Sequence, residues 1–246
     1  MYKNQVTAEL LVNGNPITEY SKNNKIYVEG RKGSKYTLKI HNGTSSSILA
    51  VATVDGLSVM DGKPGNIRKS GGYILSPYRT INIDGWRTSL ETTRAFEFSD
   101  NKSSYSNKTG QGRKNIGVIG LACFYEVPKV TVNTVWQQWP TYNYNWSDTI
   151  PIGGTQSRGL TKGSSETLSD EVVAVAAAAS IGTAMGEEQQ SNVVEANFDR
   201  QGSPFATFVF YYHDRRKLKQ LGIIPHTNYN ATPNPFPQNS KFCREV

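Results

Sequence analysis

Three histidines, two cysteines and twenty carboxylates are the groups with which this 246-residue chain could do acid–base, nucleophilic or metal chemistry. Their spacing favours none of it. His41, His213 and His226 stand far apart, and none lies in H-E-x-x-H or another metal-ligand pattern. Adjacent carboxylates occur only as Asp170-Glu171 and Glu187-Glu188. Neighbouring side chains in a helix or strand point apart, so neither pair makes a general acid–base couple. Asp55-Gly56 and Asp61-Gly62 lack the spacing of a calcium loop and read as turns. The glycine-rich GGTQSRG and TGQGRKNIG complete neither a P-loop nor a dinucleotide fingerprint, and read as loops. Neither Cys123 nor Cys243 has a motif partner, and two cysteines make no disulfide framework. The expectation is a protein that is not an enzyme, with no cofactor and no metal.

Two other groupings point to binding. WQQWPTYNYNW, residues 136–146, carries three of the four tryptophans and no charge. If the stretch is extended, Tyr142, Tyr144 and Trp146 share one side. Large rings of this kind fill protein interfaces, pack into cores, or form glycan platforms beside polar groups. An interface is the preferred reading of Trp136, Trp139, Tyr142, Tyr144 and Trp146, with core packing and glycan binding left open. Arg215, Arg216 and Lys217 begin a basic cluster that a solvated helix face or an acidic protein partner explains better than nucleic acid. Phe236 and Phe242, in the Pro- and Asn-rich tail, complete the set of candidate contact residues.

The elements that must position these groups are mostly strands. VTAELLVN (6–13), KIYVEG (25–30), KYTLKIHN (35–42) and SILAVATV (47–54) are separated by Asn- and Gly-containing turns. Tyr36, Leu38 and Ile40 alternate with Thr37, Lys39 and His41, whereas 47–54 is apolar on both faces and reads as a central strand. YIL (73–75), RTINI (79–83), RAFEF (94–98) and IGVIGLACFYEV (116–127) follow, with DGWR read as a turn and 99–115 as a polar loop or hairpin tip outside any core. Further on, EVVAVAAAASIGTAMG (171–186) fits helix or strand, and NVVEANFDR and PFATFVFYYHD fit a pair of strands. DRRKLKQLG is a helix, with Asp214 as cap, Leu218 and Leu221 on one side and Gly222 as stop.

These elements predict a mostly β chain: an antiparallel β-sandwich or jelly-roll-like core, one short basic helix and an extended C-terminal arm. The organisation expected is a sandwich over 1–128 and an aromatic and Gly/Ser-rich connector over 129–170. Additional strands and the basic helix then fill 171–224, and the tail 225–246. The net charge of +7 lies wholly in residues 1–128, where 17 Lys and Arg meet 10 Asp and Glu. Such an excess favours an acidic neighbour. No apolar run approaches the ~18 residues of a membrane helix. MYKNQVTAELLVNG lacks the apolar core of a signal peptide, so neither export by that route nor membrane insertion is expected.

VDGLSVMDGKP, GGYILSPYRTINIDGWR, RAFEF, GVIGLACFYE, GTAMGE and VFYYHDRRKLKQLGI, as a set, resemble uncharacterised proteins of tailed bacteriophages and prophages. The resemblance spans about 25–126 and 181–224. It implies a virion location and a structural role, with no catalytic residue to carry over. The expectation is an auxiliary or decoration protein on the capsid lattice. Its partners would be the major capsid protein or other virion proteins and further copies of itself, without nucleic acid or membrane. The alternatives are a virion-surface adhesin or glycan-binding module, and a tail structural protein.

Overall fold

The computed structural model describes residues 1–111, 114–128 and 179–225. They form two β-sheets packed face to face. The first holds β1 (Tyr2–Lys3), β2 (Val6–Val12), β3 (Asn15–Pro16), β6 (Lys35–Asn42), β10 (Thr80–Ile83), β11 (Gly85–Arg87), β12 (Thr92–Asp100) and β14 (Ile181–Gln190). The second holds β4 (Glu19–Lys22), β5 (Lys25–Glu29), β7 (Ile48–Val54), β8 (Leu57–Ser58), β9 (Tyr73–Leu75), β13 (Val118–Tyr125) and β15 (Ala206–His213). Two short helices, α1 (Tyr105–Lys108) and α2 (Arg215–Gln220), complete the described elements. The mostly β sandwich expected from the strand pattern is the fold observed.

Local turn chemistry builds the hairpins. Asn4-Gln5, Asn13-Gly14, Asn23-Asn24 and Asp55-Gly56 each place two successive residues at positive φ. They join the closing pairs Lys3↔Val6, Val12↔Asn15, Lys22↔Lys25 and Val54↔Leu57. Two-residue turns of this hand match the twist of antiparallel strands, and Asn, Asp and Gly enter that region most cheaply. Alternation then sorts the faces. Tyr36, Leu38 and Ile40 are buried between the sheets as expected, and β7, buried along nearly its whole length, lies beside β13. On the solvent face of the first sheet, charges pair across strands: Lys39 with Glu9 at 3.2 Å and Lys35 with Glu187 at 2.5 Å.

Strands from the far side of residues 129–178 are integral to both sheets. β14 pairs antiparallel with β12, from Thr92↔Gln190 to Asp100↔Ile181. β15 lies between β13 and β5, antiparallel to the first and parallel to the second. The ambiguity over 171–186 resolves to strand from Ile181 onward; residues 171–178 lie outside the described part.

Three expectations are corrected. DGWR is not a turn: Gly85–Arg87 is β11, because Trp86, 1% exposed, packs edge-on against Phe96 at 5.4 Å. Gly85 permits this approach, since a Cβ there would stand 2.0 Å from the Arg94 carbonyl oxygen. Residues 99–115 are not wholly outside the core. They contain α1, with Ser104 and Ser106 buried and Tyr105 4.8 Å from the Trp86 ring. NVVEANFDR is no strand; it crosses the second sheet as an extended strap and touches the ladder only through the Glu126↔Arg200 bridge.

Candidate functional site

The strap closes a cleft of about 860 Å³ on one flank of the sandwich. Leu49, Tyr73 and Ile74 form one wall, Ile81 and Leu90 the other, and Val193 to Phe198 the rim. The wall strands belong to different sheets, so the cleft sits where the edges of the two sheets part. Its surface is largely apolar and open: Val194 is 92% exposed, Leu90 48% and Ile74 37%. Glu195, Asn197 and Arg200 supply polar groups around it.

Both ends of the strap are pinned. At its start the Ser191 and Val193 N–H groups donate to the Glu91 and Leu90 carbonyls at 2.7 and 2.8 Å. Arg87 fixes the same end, donating to the Ser191 carbonyl and Oγ, each at 2.8 Å, and to the Tyr73 hydroxyl at 3.0 Å. At the other end Phe198 packs on Leu49, Val51, Ala122 and Phe124, the outer face of the second sheet. The Arg200 guanidinium lies 5.5 Å from the Phe124 ring and donates to the Ser70 carbonyl at 2.7 Å. Burial there holds its pKa below the usual arginine value. A rigid apolar hollow with its polar anchors already engaged is suited to holding an apolar segment of a partner.

The buried polar chemistry lies elsewhere, between the sheets. Asp55, in the β7–β8 turn, points inward and is 1% exposed. Its Oδ1 accepts from the Gly117 N–H at 2.9 Å and the Tyr212 hydroxyl at 2.5 Å, and its Oδ2 from the Thr183 N–H at 2.8 Å. Because the Tyr212 proton goes to Asp55, the Thr183 hydroxyl donates to Tyr212 and the Tyr36 hydroxyl to Thr183, each at 2.8 Å. Burial pushes Asp55 up to about 6, against the donors that favour its ionised form. Burial, then the Asp55 charge, holds Tyr36 and Tyr212 well above the usual phenol range. This chain of polar groups ties β6, β14 and β15 to the β7–β8 turn and to Gly117 just before β13, and it is sealed from solvent. Its role is to hold the sandwich closed.

The basic helix forms as expected. Asp214 Oδ1 accepts from the Lys217 N–H at 2.7 Å, and Leu218 is fully buried. Lys22 donates to the Leu221 carbonyl at 2.5 Å at the other end. Arg215 pairs with Glu29 at 2.9 Å, Arg216 is exposed, and Lys217 is half-buried. The cluster is therefore partly committed within the chain. Asp214→Ala should cost about 1 kcal/mol by removing the cap, seen as a lower urea midpoint with an unchanged slope.

Of the candidate contact residues, Trp136, Trp139, Tyr142, Tyr144, Trp146, Phe236 and Phe242 lie outside the described residues, and Arg215, Arg216 and Lys217 stand apart from the cleft lining. Among the described residues no cluster of His, Cys, Asp and Glu could hold a metal ion, and no helix is long and apolar enough to cross a membrane. Cys123 is a free thiol, buried in β13 and pushed up to about 12 by that burial. The cleft residues escaped sequence reasoning because 192–200 has strand-like composition, and nothing local distinguishes a strap from a strand. No family model matches the chain, and no curated protein or solved structure matches it either.

Proposed function

We propose that this protein is a non-enzymatic structural component of a bacteriophage virion, an auxiliary or decoration protein that binds the capsid lattice. The observation that carries the reading is the apolar cleft, with Ile74 and Leu90 exposed on its walls and Val194 on the strap that is pinned at both ends. Contiguous apolar surface on a rigid frame favours protein contact. The resemblance to phage proteins supports the virion setting, and the cationic first half suits an acidic lattice. On this reading an extended apolar segment of a neighbouring subunit occupies the cleft. Repetition over a lattice then turns a modest single contact into firm attachment.

The test is co-elution of the purified protein with empty phage shells, followed by light scattering. The wild type is expected to bind stoichiometrically. Replacing both Ile74 and Val194 with Asp should weaken shell binding at least about tenfold, because two charges would be desolvated in the contact. The same change should cost about 1–2 kcal/mol and leave the chain folded, since Val194 is 92% exposed and only Ile74, 37% exposed in β9, gives up partial burial. Absence of shell binding by the wild type, or full binding by the double variant, rejects this assignment. Displacement by soluble sugars would instead favour the glycan-binding alternative.

A further inference from the structure

His213 ends β15 with its ring on the outer face of the second sheet, opposite in direction to Tyr212. It is 1% exposed, and neither ring nitrogen has a hydrogen-bond partner among the described residues. The ring stacks on Tyr27 at 6.3 Å, and Tyr27 lies 5.5 Å from Tyr211. Leu218 and Ile224 pack on this same pair of tyrosines. A buried imidazole with both nitrogens unsatisfied lowers stability, so an apolar ring would serve the packing better.

The charged groups around it are mostly positive. Arg215, Arg216, Lys217 and Lys219 make four of the six residues of α2. From β4 and β5, Lys22 bonds the end of the helix and Lys25 lies over the Tyr211 ring. The two acids on hand are engaged: Asp214 caps α2, and Glu29 pairs with Arg215. Ser180 donates nothing to the ring; its Oγ accepts from the Asp214 N–H at 3.1 Å. Burial first, then Lys217, holds the imidazole neutral down to about 4, with Asp214 opposing. Asp55 lies in the inter-sheet core, where it bonds Tyr212 on the other face of β15.

We infer that α2 is an acid-released latch: protonating His213 creates a buried cation among the helix's own cations, and the helix detaches to uncover Tyr27 and Tyr211. An imidazole at 6.5 when released and about 4 when latched raises the ratio of released to latched chains roughly a hundredfold from pH 7 to pH 4. The inference is independent of the cleft, which lies over β7 and β9.

Amide hydrogen exchange on the full chain, corrected for the intrinsic pH dependence of exchange, tests it. Protection of the Leu218 and Leu221 amides should fall roughly a hundredfold from pH 7 to pH 4 while β13 amides keep theirs. In His213→Phe the α2 amides should hold their protection. A direct NMR titration of His213 in the wild type guards against a variant that fails to fold. An imidazole titrating near 6.5, unchanged α2 protection, or parallel loss in β13 would overturn the latch.

Discussion

Asp55→Ala is expected to lower the free energy of unfolding by at least about 4 kcal/mol, measured by urea denaturation at neutral pH. Three donors aim at that carboxylate: the Gly117 and Thr183 N–H groups and the Tyr212 hydroxyl. Each is buried, and an orphaned buried donor costs about 1–3 kcal/mol. Alanine also lacks the local hydrogen bonding that makes positive φ tolerable, and Asp55 sits at φ 52°. Asp55→Asn separates the two contributions. Asparagine accepts the left-handed conformation and keeps one acceptor oxygen, but its amide meets the Thr183 N–H donor to donor. It should recover part of the loss. A change below about 1 kcal/mol in the Ala variant would show that the three donors find other partners and that the network does not hold the sheets together.

The second large effect is a dependence on pH that stays hidden in the wild type. Asp55 is raised from an ordinary 3.8 to about 6, so its stabilising contribution is complete below 3.8 and is lost as pH rises to about 6. His213 is lowered from 6.5 to about 4, so its contribution is complete above 6.5 and is lost as pH falls to about 4. Each shift of about two units corresponds to about 3 kcal/mol. The two slopes have opposite signs over the same window and nearly cancel. His213→Phe should therefore become less stable than at pH 4 by about 2 kcal/mol when the pH reaches 6. Asp55→Asn should become more stable across the same range. Taking each variant's curve relative to the wild type removes the titration of all other groups. Two variants with identical pH profiles would mean that these groups do not govern acid stability.

The hairpin strands show how far local pattern reaches. β2, β5, β6 and β7 were legible because alternation and two-residue turns act between residues a few positions apart. Asp214, Leu218 and Gly222 marked α2 for the same reason: cap, apolar side and stop all lie within one short segment.

The candidate site was not legible. Asp55 reads as a turn former, and it is one; its burial follows from Gly117, Thr183 and Tyr212, which lie 62 to 157 residues away. Residues 192–200 have the composition of a strand, but β7 and β13 leave no free ladder position where Phe198 lands on their outer face. What the sequence determined by itself is most of the strands, including β2, β5, β6, β7 and β13, their hairpin turns and α2, since those depend on near neighbours. Only the tertiary structure decided that β14 joins the first sheet and β15 the second, that Asp55 turns inward, that the strap walls a cleft and that His213 lies buried beside α2. Those outcomes depend on contacts between distant residues, whose free energy exists only once the two sheets have closed on each other.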